Sequence, residues 1–458
     1  MDQLAVESMP MVKYAGDWLE NLTRQTPHTD HPVQTLEAAC RSSGTLILDL
    51  HLPFTPPSEA FRANPEAAEA AHIIAAAALQ LETIVTPPQV SLSHIVHLKS
   101  SALRICLESG VTEILCEAGS QGIHVKDIGK KNGQDPERLG CFMHYLATHH
   151  VHRQVSLNVF AHTRISSMLD TLKPSTKVIT DLENKHNGTT GLAALVSHHL
   201  DETFKASAYA WETLSDPATR FSGNPAAASL AHVIGSADML WTYYARLEEC
   251  FRHDRFGIGM EGIQALQPPD AILKAYDWGQ LAAGSLIVDV ASGVGTLCLT
   301  LAEKFPELKF VVQDLEVLFS RGKRSLWNKK MPAVMSSGQV KFQVHDFFTP
   351  QCQTGATVFM ILTHLSVATA PETTLLLFET ILPLAIHNPN AKEEGLLEAP
   401  SPLLVNYGGA NDMGYNVDFV MFLLFNAQER TQMQFVELLA CTGWDTFIQC
   451  IEAKKVAP

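Results

Sequence analysis

The sequence predicts a two-domain α/β protein, in which a mostly helical N-terminal domain precedes a domain built on a parallel sheet. Two observations predict this fold class. From residue 284 onward, short apolar runs of strand length alternate with helical segments, the pattern of a parallel sheet with helices on both faces. Before residue 275, helical periodicity dominates. With 458 residues, 46% of them hydrophobic, the chain can bury two ordinary cores.

The composition argues against several classes of protein. A formal net charge of −15, with no dense Lys/Arg block, is unfavourable for binding nucleic acid or an anionic membrane. The nine cysteines are scattered and form no CxxC pair, so we expect a reducing compartment and no metal site. The N-terminus lacks a signal-peptide pattern, and the apolar run 72–85 is too short to span a bilayer. We therefore expect a soluble cytoplasmic protein without a membrane or nucleic-acid partner.

Periodicity and capping residues predict the helices of the first part of the chain. Pro87 and Pro88 end one long helix, because proline cannot continue the backbone hydrogen-bond ladder. Asp135 can cap another helix, with Pro136 in its first turn. Together with a small β-element, the last two helices predict a winged-helix-like unit. The predicted helices are 14–24, 65–86, 91–115, 125–133 and 135–149.

A winged-helix-like unit raises the alternative of DNA binding. The helix in the recognition position has the sequence DPERLGCFMHYLATHH (135–150). It presents Cys, Phe, Met, Tyr and Leu, whereas base readout and phosphate contact require residues such as Arg, Lys, Asn and Gln. We therefore interpret this helix as an interface or the wall of a pocket.

The second part of the chain alternates between strands and helices. The predicted strands begin at 284 and continue with 308–315, 340–348, 356–362 and 403–407. The predicted helices between and after them are 295–305, 315–327, 371–387 and 429–442. We place the domain boundary near 275–284. The expected organisation is an N-terminal arm (1–60), a helical and winged-helix-like domain (61–275) and an α/β domain (276–458).

A glycine-containing segment, VDVASGVG (288–295), follows the first of these strands and precedes a helix. Gly293 and Gly295 allow the backbone to turn sharply and to approach a ligand closely. The segment lacks the third glycine that dinucleotide sites use for close helix packing. Taken alone, it predicts a nucleotide-type site only weakly.

The ends of the next two strands strengthen the prediction. Asp314 ends one strand, about twenty residues after the glycines, where a carboxylate suits both hydroxyls of a ribose. Asp346 and Phe347 end the following strand, where an acidic group beside an aromatic ring can bind and cover an adenine. The alternative is that both aspartates only cap the following helices.

These residues carry a resemblance to the fungal branch of the class II small-molecule O-methyltransferases. The resemblance covers roughly residue 90 to the end of the chain. The matching segments are YDWGQL…IVDVASGVG (276–295), LAEKFPELKFVVQDL (301–315), VHDFFTPQ, LFNAQERT (424–431), FVELLACTGW (435–444), ALRICLESGVTEIL, and DPERL…LATHHV…VFAHTRISSML.

The resemblance implies a Rossmann-like domain that binds S-adenosylmethionine, a winged-helix-containing dimerisation domain and an intertwined homodimer acting on a small molecule. It also implies which residues hold the cofactor and which line the acceptor pocket. The implied cofactor residues are Asp289, Gly293, Gly295, Asp314, Asp346 and Phe347. The implied pocket residues include Met413, Phe422 and Phe425, although a Met/Phe stripe at helical spacing is also typical of a core.

His364 occupies the place of the general base in the resembled family, but its surroundings differ. There the histidine is followed by Asp-Trp, whereas here Leu365 and Ser366 follow it. A later strand end usually provides an acidic residue that orients the base, and the predicted strand 403–407 offers Asn406 instead. A base without an acidic partner is poorly suited to work near neutral pH.

This departure favours a reaction that needs the cofactor bound but not consumed. The same family contains pericyclases, which promote dehydration of an alcohol to a quinone methide and then a hetero-Diels–Alder or Alder-ene step on a pyridone-type intermediate. In those enzymes a histidine of the N-terminal domain can act as acid or base, and His149 best matches it here, with His150 beside it. The alternatives are a genuine O-methyltransferase and a non-catalytic partner protein.

Overall fold

The structure is a computed structural model, and contacts divide the chain into two compact units. The first unit comprises Met1–Leu266 and Leu384–Glu429, and the second comprises Gln267–Pro383 and Arg430–Pro458. The structure describes residues 32–44, 49–94, 97–266, 271–293, 295–315, 327, 331–347, 349–361, 374–377, 379, 381–389, 391 and 396–441.

The α-helices of the described residues are numbered in chain order. They are α1 (Pro32–Ser42), α2 (Pro65–Val85), α3 (Pro88–His94), α4 (Leu98–Glu108), α5 (Val111–Ala118), α6 (Val125–Asn132), α7 (Pro136–Thr148), α8 (Arg164–Ser167), α9 (Ser175–Thr180), α10 (Leu192–His198), α11 (Phe204–Ser207), α12 (Ala210–Ser215), α13 (Leu230–Ile234), α14 (Leu240–Tyr244), α15 (Cys250–Leu266), α16 (Ala271–Ala275), α17 (Thr296–Lys304), α18 (Pro332–Ser337), α19 (Met413–Phe425) and α20 (Gln432–Cys441). A π-turn, His199–Thr203, joins α10 to α11.

The strands form two sheets. The first unit contains β1 (Ile123–His124), β2 (His152–Ser156) and β3 (Val159–His162), and the second contains β4 (Leu286–Val290), β5 (Lys309–Asp314), β6 (Val340–Val344), β7 (Val358–Ile361) and β8 (Thr374–Leu377).

The long helix α2 ends before Pro87 and Pro88 as predicted, and its start is set by a capping residue that was not predicted. The Asn64 side chain accepts hydrogen bonds from the backbone N–H groups of Glu66 (2.9 Å) and Ala67 (3.3 Å), and Pro65 is the first helical residue. The helix ends at Val85, before the two prolines. Among the described residues, α2 is the one helix that is long and apolar enough to cross a membrane by length and composition. A helix packed in a globular unit meets the same criterion, so this is weak evidence for a span.

The predicted single helix 91–115 is wrong, because the described part of this region contains three helices. One break separates α4 from α5 at Gly110, whose φ of 68° lies in the left-handed region that a continuing α-helix cannot adopt. A Cβ on Gly110 would also lie 3.0 Å from Ile179. The amphipathic period continues across the break, which is why periodicity alone did not reveal it.

A small antiparallel sheet and two helices lie together in the first unit, as the sequence predicted. The Asp135 carboxylate caps α7 by accepting hydrogen bonds from the N–H groups of Glu137 (3.0 Å) and Arg138 (2.9 Å). The strand order is β1-β3-β2. Buried Met143 and Leu146 of α7 pack in one cluster with Phe160 of β3. The helix expected to be an apolar wall therefore does bury apolar side chains.

The segment 384–429 belongs to the first unit, although the sequence analysis placed it in the α/β domain. Leu423 and Leu424 of α19 are buried in one cluster with Leu240 and Tyr244 of α14. Tyr407 is buried against α2 in another cluster. The order of elements along the chain cannot reveal that a late helix packs on early ones.

The second unit contains a five-stranded parallel sheet in the order β6-β5-β4-β7-β8. One face is covered by a cluster that includes Trp278, Phe310 and Trp327, and the other by a cluster that includes Phe359 and Phe435. The strand order reverses between β4 and β7, and ligands of open α/β sheets bind at the carboxyl edge at such a reversal. The carboxyl ends of β4, β5 and β6 are the predicted site.

Two predicted elements near the end of the sheet are wrong. The region 371–387 was predicted to be helical, but it contains β8, and 381–389 is not helical. The region 403–407 was predicted to be a strand, but it is a series of turns in the first unit. A strand that is buried on both faces is apolar throughout, so the run TTLLLF shows no alternation of polar and apolar residues. Such a run cannot be distinguished from part of a buried helix by its sequence pattern.

Candidate active site

The glycine segment forms a tight turn between β4 and α17. Gly293 and Gly295 have φ values of 59° and 70°, in the left-handed region that favours glycine. The Gly295 N–H donates to the Ser292 carbonyl (2.9 Å), which closes the turn. A Cβ on Gly295 would lie 3.0 Å from both methyl groups of Val312, whereas a Cβ on Gly293 would meet open space. Gly295 is therefore needed for packing, and the space beside Gly293 can receive a ligand.

Asp314 connects this turn to the end of β5. Its Oδ2 accepts a hydrogen bond from the Gly293 N–H (2.8 Å), and its Oδ1 accepts one from the Leu315 N–H (2.8 Å). The side chain is buried. Asp314, which was predicted to bind the ribose, is thus hydrogen-bonded directly to the predicted glycine turn. This hydrogen bond stabilises the conformation of the turn.

Asp289 lies in β4 with its carboxyl group buried. Apart from the neighbouring Cys298 thiol, its oxygens have no hydrogen-bond partner among the described residues. Burial raises the pKa of this carboxyl to about 7, and the hydrogen bond from the Cys298 thiol only partly offsets the increase. A buried carboxyl with so little support is unfavourable unless it is protonated or meets a ligand, and a cationic ligand group would stabilise it.

Asp346 and Phe347 follow β6 at the same edge of the sheet. Val344, the last residue of β6, pairs with Asp314, so Asp346 lies two residues beyond that pair. Asp346 is exposed, and its carbonyl accepts hydrogen bonds from the N–H (2.9 Å) and hydroxyl (2.6 Å) of Thr349. Phe347 is half-buried and packs against the core of the sheet. Core packing fixes one side of the Phe347 ring at the edge of the site.

An acidic residue that the sequence analysis missed lies at the end of β8. β7 and β8 are neighbouring parallel strands, with Ile361 paired to Leu377. Glu379 follows β8 by two residues and is half-buried. Along the chain, His364 follows the end of β7 by three residues, but His364, Leu365 and Ser366 lie outside the described residues. The correct strand assignment would have revealed Glu379, because only one residue separates it from the leucine run 375–377.

Asn406 does not occupy the strand end at which the sequence analysis placed it. It lies in a turn of the first unit, where its Nδ2 donates to the Tyr415 hydroxyl (3.4 Å) and its Oδ1 accepts from the Gly408 N–H (3.1 Å). The inference that an amide replaces the orienting acid is therefore wrong.

His149 ends α7 in the first unit and is half-buried. Its ring meets the Tyr145 ring edge to face, with centroids 4.7 Å apart, and approaches the His94 ring at 6.5 Å. Burial, aided by the charges of Lys99, His94 and His150, lowers the pKa of His149. The imidazole is therefore neutral at neutral pH and able to accept a proton.

The three predicted pocket residues lie on α19 in different environments. Met413 begins the helix and is 57% exposed. Phe422 and Phe425 are half-buried and pack against the cluster around Tyr244, and the Phe425 ring lies 5.8 Å from the Trp241 ring. The two phenylalanines contribute to the core of the first unit, while Met413 is available to a ligand.

A parallel α/β sheet with a glycine turn and aspartates at successive strand ends, joined to a helical unit, defines the class of S-adenosylmethionine-dependent methyltransferases. The comparisons with known proteins agree. Residues 211–445 match the model of the O-methyltransferase domain family. The chain is 45% identical over 434 residues to 4-O-methyltransferase 1 of Phanerochaete chrysosporium, covering 90% of this chain and 92% of that protein. The chain belongs to the O-methyltransferase family, and it is an enzyme.

Solved structures share the fold at low sequence identity. A pericyclic reaction enzyme matches with a TM-score of 0.59 and 15% identity, covering 90% of this chain and 92% of that chain. LepI in complex with S-adenosylmethionine matches with a TM-score of 0.58 and 15% identity over the same shares. These likenesses concern the fold alone.

The cofactor of this enzyme is S-adenosylmethionine, and the described residues fit it. Gly293 leaves open space at the carboxyl edge, Asp314 places a carboxylate beside it, and Asp289 has two buried oxygens to which a cationic ammonium group could donate. When bound, the cofactor supplies an electrophilic methyl group.

Proposed function

We propose that the enzyme transfers a methyl group to a phenolic or enolic hydroxyl of a small secondary metabolite. The observation that carries this proposal is Glu379 at the end of β8, next to the strand that precedes His364. The absence of an orienting acid was a main reason for favouring a different reaction, and Glu379 can supply that acid. The relative from P. chrysosporium, at 45% identity, is named as a 4-O-methyltransferase, which also supports the proposal.

In this proposal His364 is the general base. It would accept the hydroxyl proton of the acceptor, whose oxygen would form the new bond to the methyl carbon as the bond from that carbon to the cofactor's sulfur breaks and S-adenosylhomocysteine is released. Glu379 accepts a hydrogen bond from the other ring nitrogen, which orients the imidazole and stabilises the imidazolium that forms. The Glu379 carboxylate also raises the basicity of His364. An acidic residue directly after His364, where Leu365 and Ser366 stand, is therefore not required.

The cofactor roles follow from the strand-end geometry. Asp314 holds the glycine turn and accepts hydrogen bonds from the ribose hydroxyls, while Asp346 and Phe347 bind and cover the adenine. Asp289 accepts a hydrogen bond from the ammonium group, which would pair its buried carboxylate. Residues at the carboxyl edge of the sheet would thus hold the cofactor, which would supply the methyl group there.

The acceptor pocket includes Met413 of α19, with Phe422 and Phe425 shaping the wall from behind. Their exposure supports this division, since Met413 is the exposed member of the three. A homodimer and a cytoplasmic location complete the proposal.

A pericyclase reaction is the second candidate. Two observations favour it: Leu365 and Ser366 stand where the family has Asp-Trp, and the lowered pKa of His149 makes it a neutral acid or base in the first unit. In this candidate His149 removes or returns a proton during dehydration of an alcohol, and cyclisation follows with the cofactor bound but unchanged.

The two candidates are distinguished by variants of their proposed bases. Purified protein is assayed with S-adenosylmethionine and a panel of small phenols and enols, and methyl ether formation is measured. Methyl transfer predicts that His364→Ala lowers kcat by on the order of 10²-fold or more and Glu379→Gln by a smaller factor, while His149→Ala has little effect. Loss of turnover in His149→Ala with full turnover in His364→Ala would contradict the assignment of the base.

A further inference from the structure

Helix α2 packs along the segment 399–411, which leads into the pocket helix α19. Both lie in the first unit, more than 300 residues apart in sequence. They share an apolar cluster whose buried members are Ile73, Ala76, Ala399, Leu403 and Tyr407. Helix α2 also lies outside the part of the chain that matches the O-methyltransferase domain family.

Polar side chains of α2 fix Tyr407 within this cluster. The Tyr407 hydroxyl donates a hydrogen bond to the Glu69 carboxylate. The His72 ring stacks on the Tyr407 ring, with centroids 4.2 Å apart and an interplanar angle of 3°, and its Nε2–H donates to the Ala410 carbonyl (3.2 Å). Tyr407 has a φ of 64°, which is unfavourable for a residue with a side chain. The contacts with Glu69 and His72 therefore hold a backbone conformation that the chain alone would disfavour.

The Gln80 side chain fixes the same segment on both sides of Leu403, one residue before it and one residue after it. Its Nε2 donates to the Pro402 carbonyl (3.1 Å), and its Oε1 accepts from the Leu404 N–H (3.2 Å). The Gln80 amide thus pairs with one backbone donor and one backbone acceptor of the segment. Two hydrogen bonds to different atoms fix the position of the segment along α2 as well as its distance from the helix.

The fixed segment is connected directly to α19. Asn406, beside Tyr407, donates to the hydroxyl of Tyr415 in the first turn of α19 (3.4 Å). A short 3₁₀ turn, Gly408–Asn411, leads from Tyr407 to the helix, and the Asp412 carbonyl accepts from the Asn416 N–H (2.9 Å). Any movement of Tyr407 is therefore transmitted within a few residues to Met413.

We infer that α2 is the positioning element of the acceptor pocket, with Glu69, His72 and Gln80 as positioning residues that set acceptor affinity through Tyr407 and the start of α19. This inference rests on the proposed function for its effect on catalysis. It assigns a role to a helix outside the part of the chain that matches the O-methyltransferase domain family.

The test compares three variants of the full chain with the wild type in the presence of S-adenosylmethionine. Glu69→Ala removes the acceptor for the Tyr407 hydroxyl, Glu69→Gln keeps an acceptor oxygen, and Glu66→Ala removes an exposed carboxylate from the same helix as a control. Amide hydrogen exchange of 403–416 and the KM for the best phenolic acceptor are measured.

Glu69→Ala is expected to lose exchange protection in 403–416 and to raise the acceptor KM by on the order of tenfold, because small displacements of positioning groups have large effects. The Kd for S-adenosylmethionine should change by less than about twofold, and Glu69→Gln should restore the KM. The inference is overturned if Glu69→Ala keeps its exchange protection in 403–416, or if it loses that protection without a change in the acceptor KM. It is also overturned if the affinity for S-adenosylmethionine falls in parallel with the rise in the acceptor KM. A wild type that methylates no phenol contradicts the proposed function, while the exchange measurement still decides the positioning.

Discussion

Asp314 is the residue on which the geometry of the cofactor site depends most clearly. One of its carboxylate oxygens accepts a hydrogen bond from the Gly293 N–H, and the other accepts one from the Leu315 N–H. The Asp314 carboxylate therefore connects the end of β5 to the glycine turn. Hydrogen bonds to a charged group contribute about 1.5–3 kcal/mol each. The side chain therefore shapes the turn before any ligand binds and remains at the edge where the ribose is expected.

Replacing Asp314 tests that double role. We expect Asp314→Ala to raise the Kd for S-adenosylmethionine by tenfold or more, on the order of the loss of one charged hydrogen bond. Asp314→Asn, which keeps one acceptor oxygen, should lie between this variant and the wild type. Isothermal titration calorimetry measures the three constants, and the exposed Asp277→Ala serves as a control in the same unit. Equal affinities for Asp314→Ala and the wild type would show that this carboxylate does not support the site.

At the scale of elements, the sequence was informative where local chemistry determines the structure. Asp135 caps its helix, Pro87 and Pro88 follow the end of α2, and the glycines of 288–295 turn β4 into α17, because these effects depend on neighbouring residues. It was misleading at β8 and at 403–407, since apolar runs in a buried parallel strand and in a packed turn look alike without their partners. The first misassignment concealed Glu379, and the second made Asn406 appear to replace it.

Gly110 separates α4 from α5, and its replacement should destabilise the first unit. In Gly110→Ala the side chain meets both an unfavourable φ of 68° and a contact of 3.0 Å with Ile179. Gly235→Ala is a matched control, because its φ of 66° and ψ of 21° nearly equal those of Gly110 but nothing lies within 4 Å of the added Cβ. We expect a loss of about 1 kcal/mol for Gly235→Ala and about 1–3 kcal/mol more for Gly110→Ala, measured by urea unfolding. Equal losses of unfolding free energy in the two variants would mean that the Ile179 side chain moves away from the added Cβ at no energetic cost.

At the scale of the whole molecule, the interiors of the two units differ in chemistry. The second unit is held by apolar side chains on both faces of its sheet. The first unit also buries a network of charges beside the π-turn. Arg255 contacts Asp201 (3.0 Å) and Glu202 (2.6 Å), and Arg104 contacts Asp201 (2.8 Å). Removing Arg255 would take the shortest ion pair from the buried Glu202 carboxylate and leave it the longer contact with Arg252 (3.4 Å) and the His198 ring.

Arg255→Met should therefore destabilise the protein by about 3–5 kcal/mol at pH 7, whereas Arg41→Met, which breaks an exposed pair with Glu37, should cost about 0.5 kcal/mol. Burial would raise the pKa of Glu202, but the hydrogen bond from His198 and the charge of Arg255 lower it to about 2.

The pH dependence follows from this lowered pKa. The carboxylate contributes stability above its unfolded pKa of about 4.3, and that contribution is lost as the pH falls from about 4 towards 2. The difference between the wild type and Arg255→Met should accordingly shrink over this range in urea unfolding. A difference that is independent of pH would contradict the role assigned to the Glu202 pair.

Methyl transfer itself is tested most directly by the stoichiometry of cofactor consumption in a single turnover. Enzyme loaded with methyl-labelled S-adenosylmethionine is mixed with the phenolic or enolic acceptor that it converts fastest, and labelled product and S-adenosylhomocysteine are quantified together. The proposed function predicts one S-adenosylhomocysteine for each labelled methyl ether, with both lost in His364→Ala. Product formation with the labelled cofactor recovered intact would contradict methyl transfer and favour the pericyclase reaction.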